Sequence, residues 1–187
     1  SRVALALTAI GADPRDVGGY NLLTPLGDYD KTVWQGVNGA IWALIALDSG
    51  NYDMPDNPEA ETQATRQMYI DHILSRQLDD GGWTLTSNGG QGESDPDITG
   101  MALQALSRYQ DQEEVRQATD KALDCMSARQ NAAGGFSSWE TTNLESSVQM
   151  LVALCQLGIP LDDARFVKNG NTLLDNILSF RQADGSF

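Results

Sequence analysis

The sequence predicts an all-α protein built from repeated helical hairpins, and three observations carry this prediction. Ala-Leu pairs recur within apolar segments, amphipathic segments alternate with them, and a Gly-aromatic motif follows each amphipathic segment. The chain has 187 residues, of which 41% are hydrophobic, and its mean hydropathy is −0.34. This composition is that of an ordinary globular protein, and the length allows one well-sized domain with a buried core.

Four apolar segments are predicted to be inner helices. Each carries an Ala-Leu pair, and the pairs follow one another at intervals of 40, 59 and 48 residues: Ala6-Leu7, Ala46-Leu47, Ala105-Leu106 and Ala153-Leu154. Small and aliphatic residues also fill the neighbouring columns of the repeat. Because helices that are apolar on most sides are buried all round, we expect all four to lie inside the fold.

Three amphipathic segments are predicted to be outer helices with one solvated face. They span about Glu61–Gln77, Glu113–Gln130 and Lys168–Gln182, with apolar residues at helical spacing among charged ones. A shorter segment, Tyr20–Asp30, would complete the first of about four helix pairs. A closing ring of pairs and an open helical solenoid both fit this order, and the apolar inner helices favour the ring.

A Gly-aromatic motif follows each predicted outer helix. Gln77-Leu78-Asp79-Asp80-Gly81-Gly82-Trp83 matches Gln130-Asn131-Ala132-Ala133-Gly134-Gly135-Phe136. Gln182-Ala183-Asp184-Gly185-Ser186-Phe187 matches with one residue fewer. Glycine commonly ends a helix, so the motif predicts a turn that leads into the next inner helix.

These motifs resemble the QW repeat of the terpenoid cyclase and protein prenyltransferase superfamily. The resemblance covers Val33–Phe187 and, more weakly, Ser1–Asp30. It implies an α/α toroid, a ring of about six helix pairs around a central cavity, here incomplete at about four of the six pairs. Two stretches, Gln35–Leu44 and Asp95–Ala102, look most like toroid domains of bacterial cell-surface proteins that resemble transcobalamin and intrinsic factor.

The resemblance implies a non-catalytic ligand-binding or adhesion module of a bacterial extracytoplasmic surface protein. Such a module is extracellular or attached to the cell wall. Residues 1–187 would then form a single toroid domain, a fragment of a longer protein whose signal and anchor lie outside it. The implied partners are a polar small molecule or a corrin-like ligand in the central cleft, and a protein that contacts the long, glycine-rich rim loop 81–97, with no cofactor.

Asp97 carries the alternative, an enzyme similar to terpene cyclases or prenyltransferases. Class II triterpene cyclases have an Asp-x-Asp-Asp-Thr-Ala motif whose middle Asp protonates the substrate, and Asp95-Pro96-Asp97-Ile98-Thr99-Gly100 resembles it. Asp97 falls at the position of the acid, whereas Ile98 replaces the next Asp. Asp97 is therefore either a general acid or the N-cap of an inner helix, and we expect the cap.

Charge and residue counts argue against several other functions. With 12 Lys and Arg against 26 Asp and Glu, the net charge of −14 disfavours nucleic acid and anionic membrane surfaces. The longest apolar run, near Ala40–Leu47, is too short to span a bilayer. One histidine, His72, and two cysteines, Cys125 and Cys155, are too few for a usual zinc site. We expect His72 to be partly exposed and the cysteines to be small buried residues, with a disulfide left open.

One face of the inner helices repeats polar positions. Successive columns are four and three residues apart, so they share that face, and unpaired polar groups are costly in a core. The face is therefore predicted to line a solvated cleft. A hydrocarbon cavity would be lined by aromatic residues, and Trp42 alone supplies one here, with Trp34 and Trp139 at the rim. The predicted ligand-binding residues are Asn38, Trp42, Asp97, Met101, Gln104, Glu145 and Gln149.

Overall fold

A computed structural model describes residues 1–86, 88–138 and 141–187, without the side chains of residues 141 and 142. The described part contains eight α-helices and one short antiparallel hairpin, so the predicted all-α class is confirmed. Trp139, expected at the rim, lies outside the described residues. The helices are α1 (Arg2–Ala9), α2 (Tyr29–Val33), α3 (Val37–Ser49), α4 (Arg66–Ser75), α5 (Pro96–Leu106), α6 (Glu113–Arg129), α7 (Leu144–Gln156) and α8 (Leu173–Ser179). The hairpin pairs β1 (Ser137–Ser138) with β2 (Thr141–Thr142), and 3₁₀ turns lie at Thr24–Gly27, Ser107–Tyr109 and Ala164–Phe166.

The chain forms two compact units, Ser1–Arg76 and Gln77–Phe187. In the first unit, α3 packs against α1, α2 and α4. In the second unit, α5 packs against α6 and α7, and α7 also packs against α8. Within each unit the predicted inner helices therefore contact one another, and the outer helices α4, α6 and α8 pack against α3, α5 and α7 respectively.

The predicted burial of the inner helices is correct for α3 and α5 and wrong for α1. Leu44 and Leu103, at equivalent positions of α3 and α5, are fully buried. In α1 only Ala4 is buried, while Val3 is 63% exposed and Ile10, directly after the helix, is 79% exposed. The apolar sequence of α1 matches that of the other inner helices, but one side of α1 has no covering element in the described structure. The helix α7 is intermediate, because Met150 and Ala153 are fully buried and Val152 is not.

Of the predicted outer helices, α6 matches the expected bounds to within one residue, whereas α4 and α8 begin later and end earlier than predicted. Thr65 accepts a hydrogen bond from the Met68 N–H, and Thr172 forms a capping box with Asp175. These side chains satisfy the first free N–H groups and so fix where each helix starts. The predicted helix Tyr20–Asp30 is also wrong, because a 3₁₀ turn occupies Thr24–Gly27 and α2 starts only after its cap, Asp28.

The Gly-aromatic motifs form equivalent turns. Leu78 N–H donates to Gly82 O and Asn131 N–H donates to Gly135 O, both at 2.9 Å. The aromatic residues that follow, Trp83 and Phe136, are fully buried. The third turn is shifted by one residue relative to the sequence match, since it is the Gln182 N–H that donates to Ser186 O.

The glutamines of the first two motifs each bond their own turn to a neighbouring element of the second unit. Gln77 Nε2 donates to Gly81 O at 2.7 Å and to Ala118 O at 2.8 Å. Gln130 Nε2 makes the same pair of bonds, to Gly134 O at 2.7 Å and to Phe166 O at 3.0 Å. In the third motif Arg181 takes this position, so Gln182 does not make these bonds and instead donates to Phe180 O. The glutamines of the first two motifs are therefore structural.

Candidate functional site

The start of α5 is organised by Asp95. Its Oδ1 accepts hydrogen bonds from the N–H groups of Asp97 and Ile98, and its Oδ2 accepts one from Ser138 Oγ at 2.7 Å. Thr99 Oγ1 accepts the Trp83 N–H at 2.9 Å and so ties the preceding turn to the helix. Asp95 is thus the N-cap, and the expectation that Asp97 caps this helix is wrong.

Asp97 is left free of the capping role and lies half-buried in the first turn of α5. Its Oδ1 is buried and has no hydrogen-bond partner among the described residues. Burial raises the pKa of this carboxyl most, and the charges of Asp95 and Glu145 raise it further; the neighbouring Ser146 hydroxyl, whose Oγ makes no hydrogen bond of normal geometry in the described structure, lowers it. The neutral form is therefore favoured more than in an ordinary aspartate, and this form can donate a hydrogen bond.

The other predicted site residues of α5 and α7 mostly contact one another. Gln104 Nε2 donates to Gln149 Oε1 at 2.8 Å and to Gln149 O at 3.0 Å. The backbones approach closely here, because a Cβ placed on Gly100 would lie 3.0 Å from the Gln149 carbonyl carbon. Met101 is buried and Glu145 is exposed. The two glutamines consequently hold α5 to α7 and have less capacity left for a ligand.

Asn38 and Trp42 open onto a cleft of about 370 Å³ in the first unit, which we call the Asn38–Trp42 cleft. The Arg2 guanidinium carbon lies 4.7 Å from the Trp42 ring centroid, within range of a cation–π interaction. Asn38 Oδ1 and Trp42 Nε1 are buried without hydrogen-bond partners in the described structure. The cleft is lined by Ser1, Arg2, Val3, Gln35, Asn38, Gly39 and Trp42.

A second cleft, of about 490 Å³, lies beside the start of α5 and is called the polar cleft here. An ion pair of 2.9 Å between Arg129 Nη2 and Glu93 Oε1 belongs to its lining. Sequence reasoning placed the rim loop 81–97 near a site but missed Arg129 and Ser138. The one signal for Arg129 was its place directly before Gln130 in the repeated motif. The lining consists of Thr84, Glu93, Ser94, Asp95, Pro96, Arg129, Ser137 and Ser138.

The environments of His72 and Cys155 differ from the expectations. His72 is buried, its Nδ1 lies 3.3 Å from the Tyr29 hydroxyl, and burial together with Arg76 lowers its pKa. Cys155 is exposed because it lies on the side of α7 that the described structure leaves uncovered, and Cys125 is half-buried with Sγ 3.3 Å from Ser94 Oγ. Both thiols are free, and the described His, Cys, Asp and Glu residues form no group of three that could hold a metal ion.

Comparison with known proteins adds no relative. No protein-family model, curated protein or solved structure matches the chain. Among the described helices, none has both the length and the apolar character needed to cross a bilayer. The toroid assignment therefore stays a prediction from the sequence motifs.

Proposed function

We propose that the chain is a non-catalytic binding module of the α/α-toroid type and that its ligand is a small polar molecule. The observation that carries the proposal is that two residues lining the Asn38–Trp42 cleft, Asn38 and Trp42, each have a buried polar atom without a hydrogen-bond partner among the described residues. Buried polar groups are nearly always hydrogen-bonded, and those without a partner usually meet water or a ligand. Both residues belong to the polar face that the repeat predicted.

The chemistry of this cleft indicates the ligand class. Asn38 Oδ1 needs a donor, Trp42 Nε1–H needs an acceptor, and Arg2 supplies a cation stacked on the indole. A molecule that carries a carboxylate and an amide has the complementary groups, because the carboxylate is an acceptor for the Trp42 N–H and a counter-ion for Arg2, and the amide N–H is a donor for Asn38 Oδ1. The volume of about 370 Å³ is at the small end of the range for ligand sites. This favours a compact ligand over the corrin-like ligand that the resemblance implies.

The alternative is an enzyme similar to terpene cyclases that uses Asp97 as general acid. In its favour, the Asp97 carboxyl is partly buried, its Oδ1 is unpartnered, and its pKa is raised. Against it, α5 and α7 contain no aromatic residue that could stabilise a carbocation, and Ile98 replaces the second acid of the motif. The binding function is therefore the better supported of the two.

The proposed location is the bacterial cell surface or the extracellular space, and the proposed role there includes adhesion. Support comes from the resemblance of Gln35–Leu44 and Asp95–Ala102 to toroid domains of surface proteins. The rim loop 81–97 is the proposed contact for a protein partner, and its residues Thr84 and Glu93–Pro96 line the polar cleft.

A titration followed by NMR tests the binding proposal. N-acetylglycine, which has one carboxylate and one amide, is added while the indole N–H signals of the tryptophans are recorded. We expect the Trp42 signal to shift saturably and Asn38→Leu to abolish the shift. The Trp34 signal is the internal control, because this side chain is 85% exposed and lies outside the cleft lining.

The enzyme alternative is tested separately by incubating the protein with squalene. Turnover that disappears in Asp97→Asn would contradict the binding proposal and establish the alternative. The proposal predicts no turnover by the unmodified protein, and an Asp97→Asn variant that still binds N-acetylglycine.

A further inference from the structure

We propose that His72 is a pH sensor, whose protonation at mildly acidic pH releases α2 and thereby weakens ligand binding at the Asn38–Trp42 cleft. The weakening of binding rests on the proposed function, whereas the release of α2 does not. His72 is the single histidine of the chain. Histidine is the side chain whose ordinary pKa places its change of charge between pH 5 and 8. The residues involved all belong to the first unit.

The imidazole of His72, on α4, is buried against α2. Only 8% of the residue is exposed, and its Nδ1 lies 3.3 Å from the Tyr29 hydroxyl of α2. The Tyr29 ring meets the imidazole edge-on, with 6.2 Å between the ring centroids, and stacks on Tyr69 of α4. The imidazole Nε2 is buried without a hydrogen-bond partner among the described residues. A neutral ring that accepts the Tyr29 hydroxyl proton at Nδ1 fits these surroundings.

A protonated ring does not fit the same surroundings. The imidazolium has two N–H donors, yet no described acceptor is in bonding position for Nε2–H, and the Tyr29 hydroxyl would have to turn from donor to acceptor. Burial lowers the pKa of His72 most, the charge of Arg76 lowers it further, and the Gly36 backbone offsets this only in part. Because an uncompensated buried charge is costly, moving α2 away so that water reaches the ring relieves the cost.

No carboxylate of the first unit compensates the charge of a protonated His72. The charged side chains of α2, α3, α4 and their caps are those of Asp28, Asp30, Lys31, Asp48, Arg66, Asp71 and Arg76. Among the described residues, Arg76 is the charged group that acts on the pKa of His72, and its charge is positive. The phenols beside the ring, Tyr29 and Tyr69, have pKa values raised by burial, so they stay neutral at acidic pH.

The helix α2 also supports the Asn38–Trp42 cleft. Gly39 lines this cleft, and a Cβ placed on Gly39 would overlap the Thr32 carbonyl oxygen of α2. The backbones of α2 and α3 are therefore in direct contact beneath the cleft. Gln35, which lies in the short connection between the two helices, is a further lining residue. Release of α2 consequently removes the support of Gly39 and Gln35, and the affinity of the cleft for its ligand falls.

The direction of the pKa shift sets the pH range of the sensor. The pKa of His72 is below its ordinary value of 6.5 when the ring is buried, and it returns towards that value when α2 is released. The released state therefore binds the proton more readily between the lowered value and 6.5. The attachment of α2 is at full strength above pH 6.5 and weakens as the pH falls through this range.

NMR of the full chain tests the sensor without a ligand. The single histidine gives one ring Hε1 signal, and we expect it to titrate below 6.5. Two amides of α2 report its release, because Thr32 N–H donates to Asp28 O and Trp34 N–H donates to Asp30 O. Their protection factors against hydrogen exchange, which are corrected for the intrinsic effect of pH, should fall by about fivefold between pH 7 and pH 5. Amides of α6 are the internal control and should not change.

The variant His72→Asn keeps a neutral polar side chain and should give equal protection of the α2 amides at both pH values. Circular dichroism verifies its fold, and the titration of the unmodified chain tests the sensor even where this variant does not fold. Titration of His72 at or above 6.5 would overturn the proposal. The same loss of protection in His72→Asn as in the unmodified chain would also overturn it.

The affinity for N-acetylglycine tests the coupling of His72 to the cleft. The ligand carboxyl has a pKa below about 4, so the ligand and Arg2 both keep their charge between pH 5 and pH 7. We expect the unmodified chain to bind about fivefold more weakly at pH 5 than at pH 7, and His72→Asn to bind equally at both. Binding by the unmodified chain that does not depend on pH would overturn the coupling. Absence of binding at pH 7 would contradict the proposed function as well, and the α2 amides would still decide whether His72 releases α2.

Discussion

At the scale of single residues, Asn38 and Asp97 are the informative side chains. Each presents a buried oxygen without a hydrogen-bond partner in the described structure. They lie at equivalent positions of inner helices, in the column that sequence reasoning selected. The column could be predicted because the Ala-Leu register fixes which helix positions share a face.

Asp97→Asn is expected to stabilise the protein at neutral pH and to change little at pH 3. Since burial raises the pKa of Asp97, the folded state holds this proton more tightly than the unfolded state. The wild-type carboxylate therefore costs stability as pH rises above its ordinary value of 3.8, and the neutral amide avoids that cost. Urea unfolding of both proteins at pH 3 and pH 7 measures the difference.

Asp175→Asn is a control variant whose expected change in stability at pH 7 has the opposite sign to that of Asp97→Asn. Hydrogen bonds from Thr172 lower the pKa of Asp175, so its contribution to stability is present above 3.8 and is lost as pH falls through the lowered value. This variant should be less stable than wild type at pH 7 and should approach it at low pH. An Asp97→Asn effect that does not depend on pH would contradict the assigned burial of the carboxyl.

Gln130→Ala is expected to destabilise the fold by about 1–3 kcal/mol, because two buried carbonyl groups lose their donor. The affected acceptors are Gly134 O and Phe166 O. Gln182→Ala, in the third motif, removes an exposed side chain and should change the free energy of unfolding by less than about 0.5 kcal/mol. Chemical denaturation compares the two variants, and equal effects would refute a structural role specific to the first two motifs.

At the scale of elements, the turn after each outer helix depends on a glycine with positive φ. Gly134 has φ of +82°, and a Cβ there would collide with the Thr172 carbonyl oxygen. Gly158 has φ of +69° with open space around it. At either site, alanine in the left-handed conformation lowers the free energy of unfolding by about 1–2 kcal/mol. Only alanine at residue 134 also clashes with backbone atoms.

The expected order of stability is therefore wild type, then Gly158→Ala, then Gly134→Ala. Thermal unfolding of the three proteins gives this order directly. A Gly134→Ala protein as stable as Gly158→Ala would show that the turn can move away from Thr172.

Helix existence was predictable from the sequence, whereas helix starts and burial were less so. The apolar columns identified α3, α5 and α7, and amphipathic spacing identified α6 to within a residue. The starts of α4 and α8 depend on Thr65 and Thr172, whose capping bonds are specific to the local backbone. Burial of α1 could not be predicted, because it depends on which element covers the helix and not on the composition of the helix.

At the scale of the whole molecule, part of the candidate site was predictable. The repeat register selected Asn38 and Trp42, and the structure places both at one cleft. It also selected Gln104 and Gln149, but these amides bond to each other across α5 and α7. A register predicts which residues share a face, and it does not predict which of them pair. The polar cleft around Arg129 combines a loop, a helix end and a hairpin, a combination that no periodicity describes.

The central claim is that the unsatisfied polar atoms of Asn38 and Trp42 form a binding site for a small polar ligand. The most direct measurement is the dissociation constant of N-acetylglycine for wild type and for Trp42→Phe, which removes the indole N–H and keeps an aromatic ring beneath Arg2. We predict saturable binding by wild type and at least tenfold weaker binding by Trp42→Phe, with Trp34→Phe unchanged. Equal affinity for all three proteins, or no saturable binding by wild type, would contradict the account.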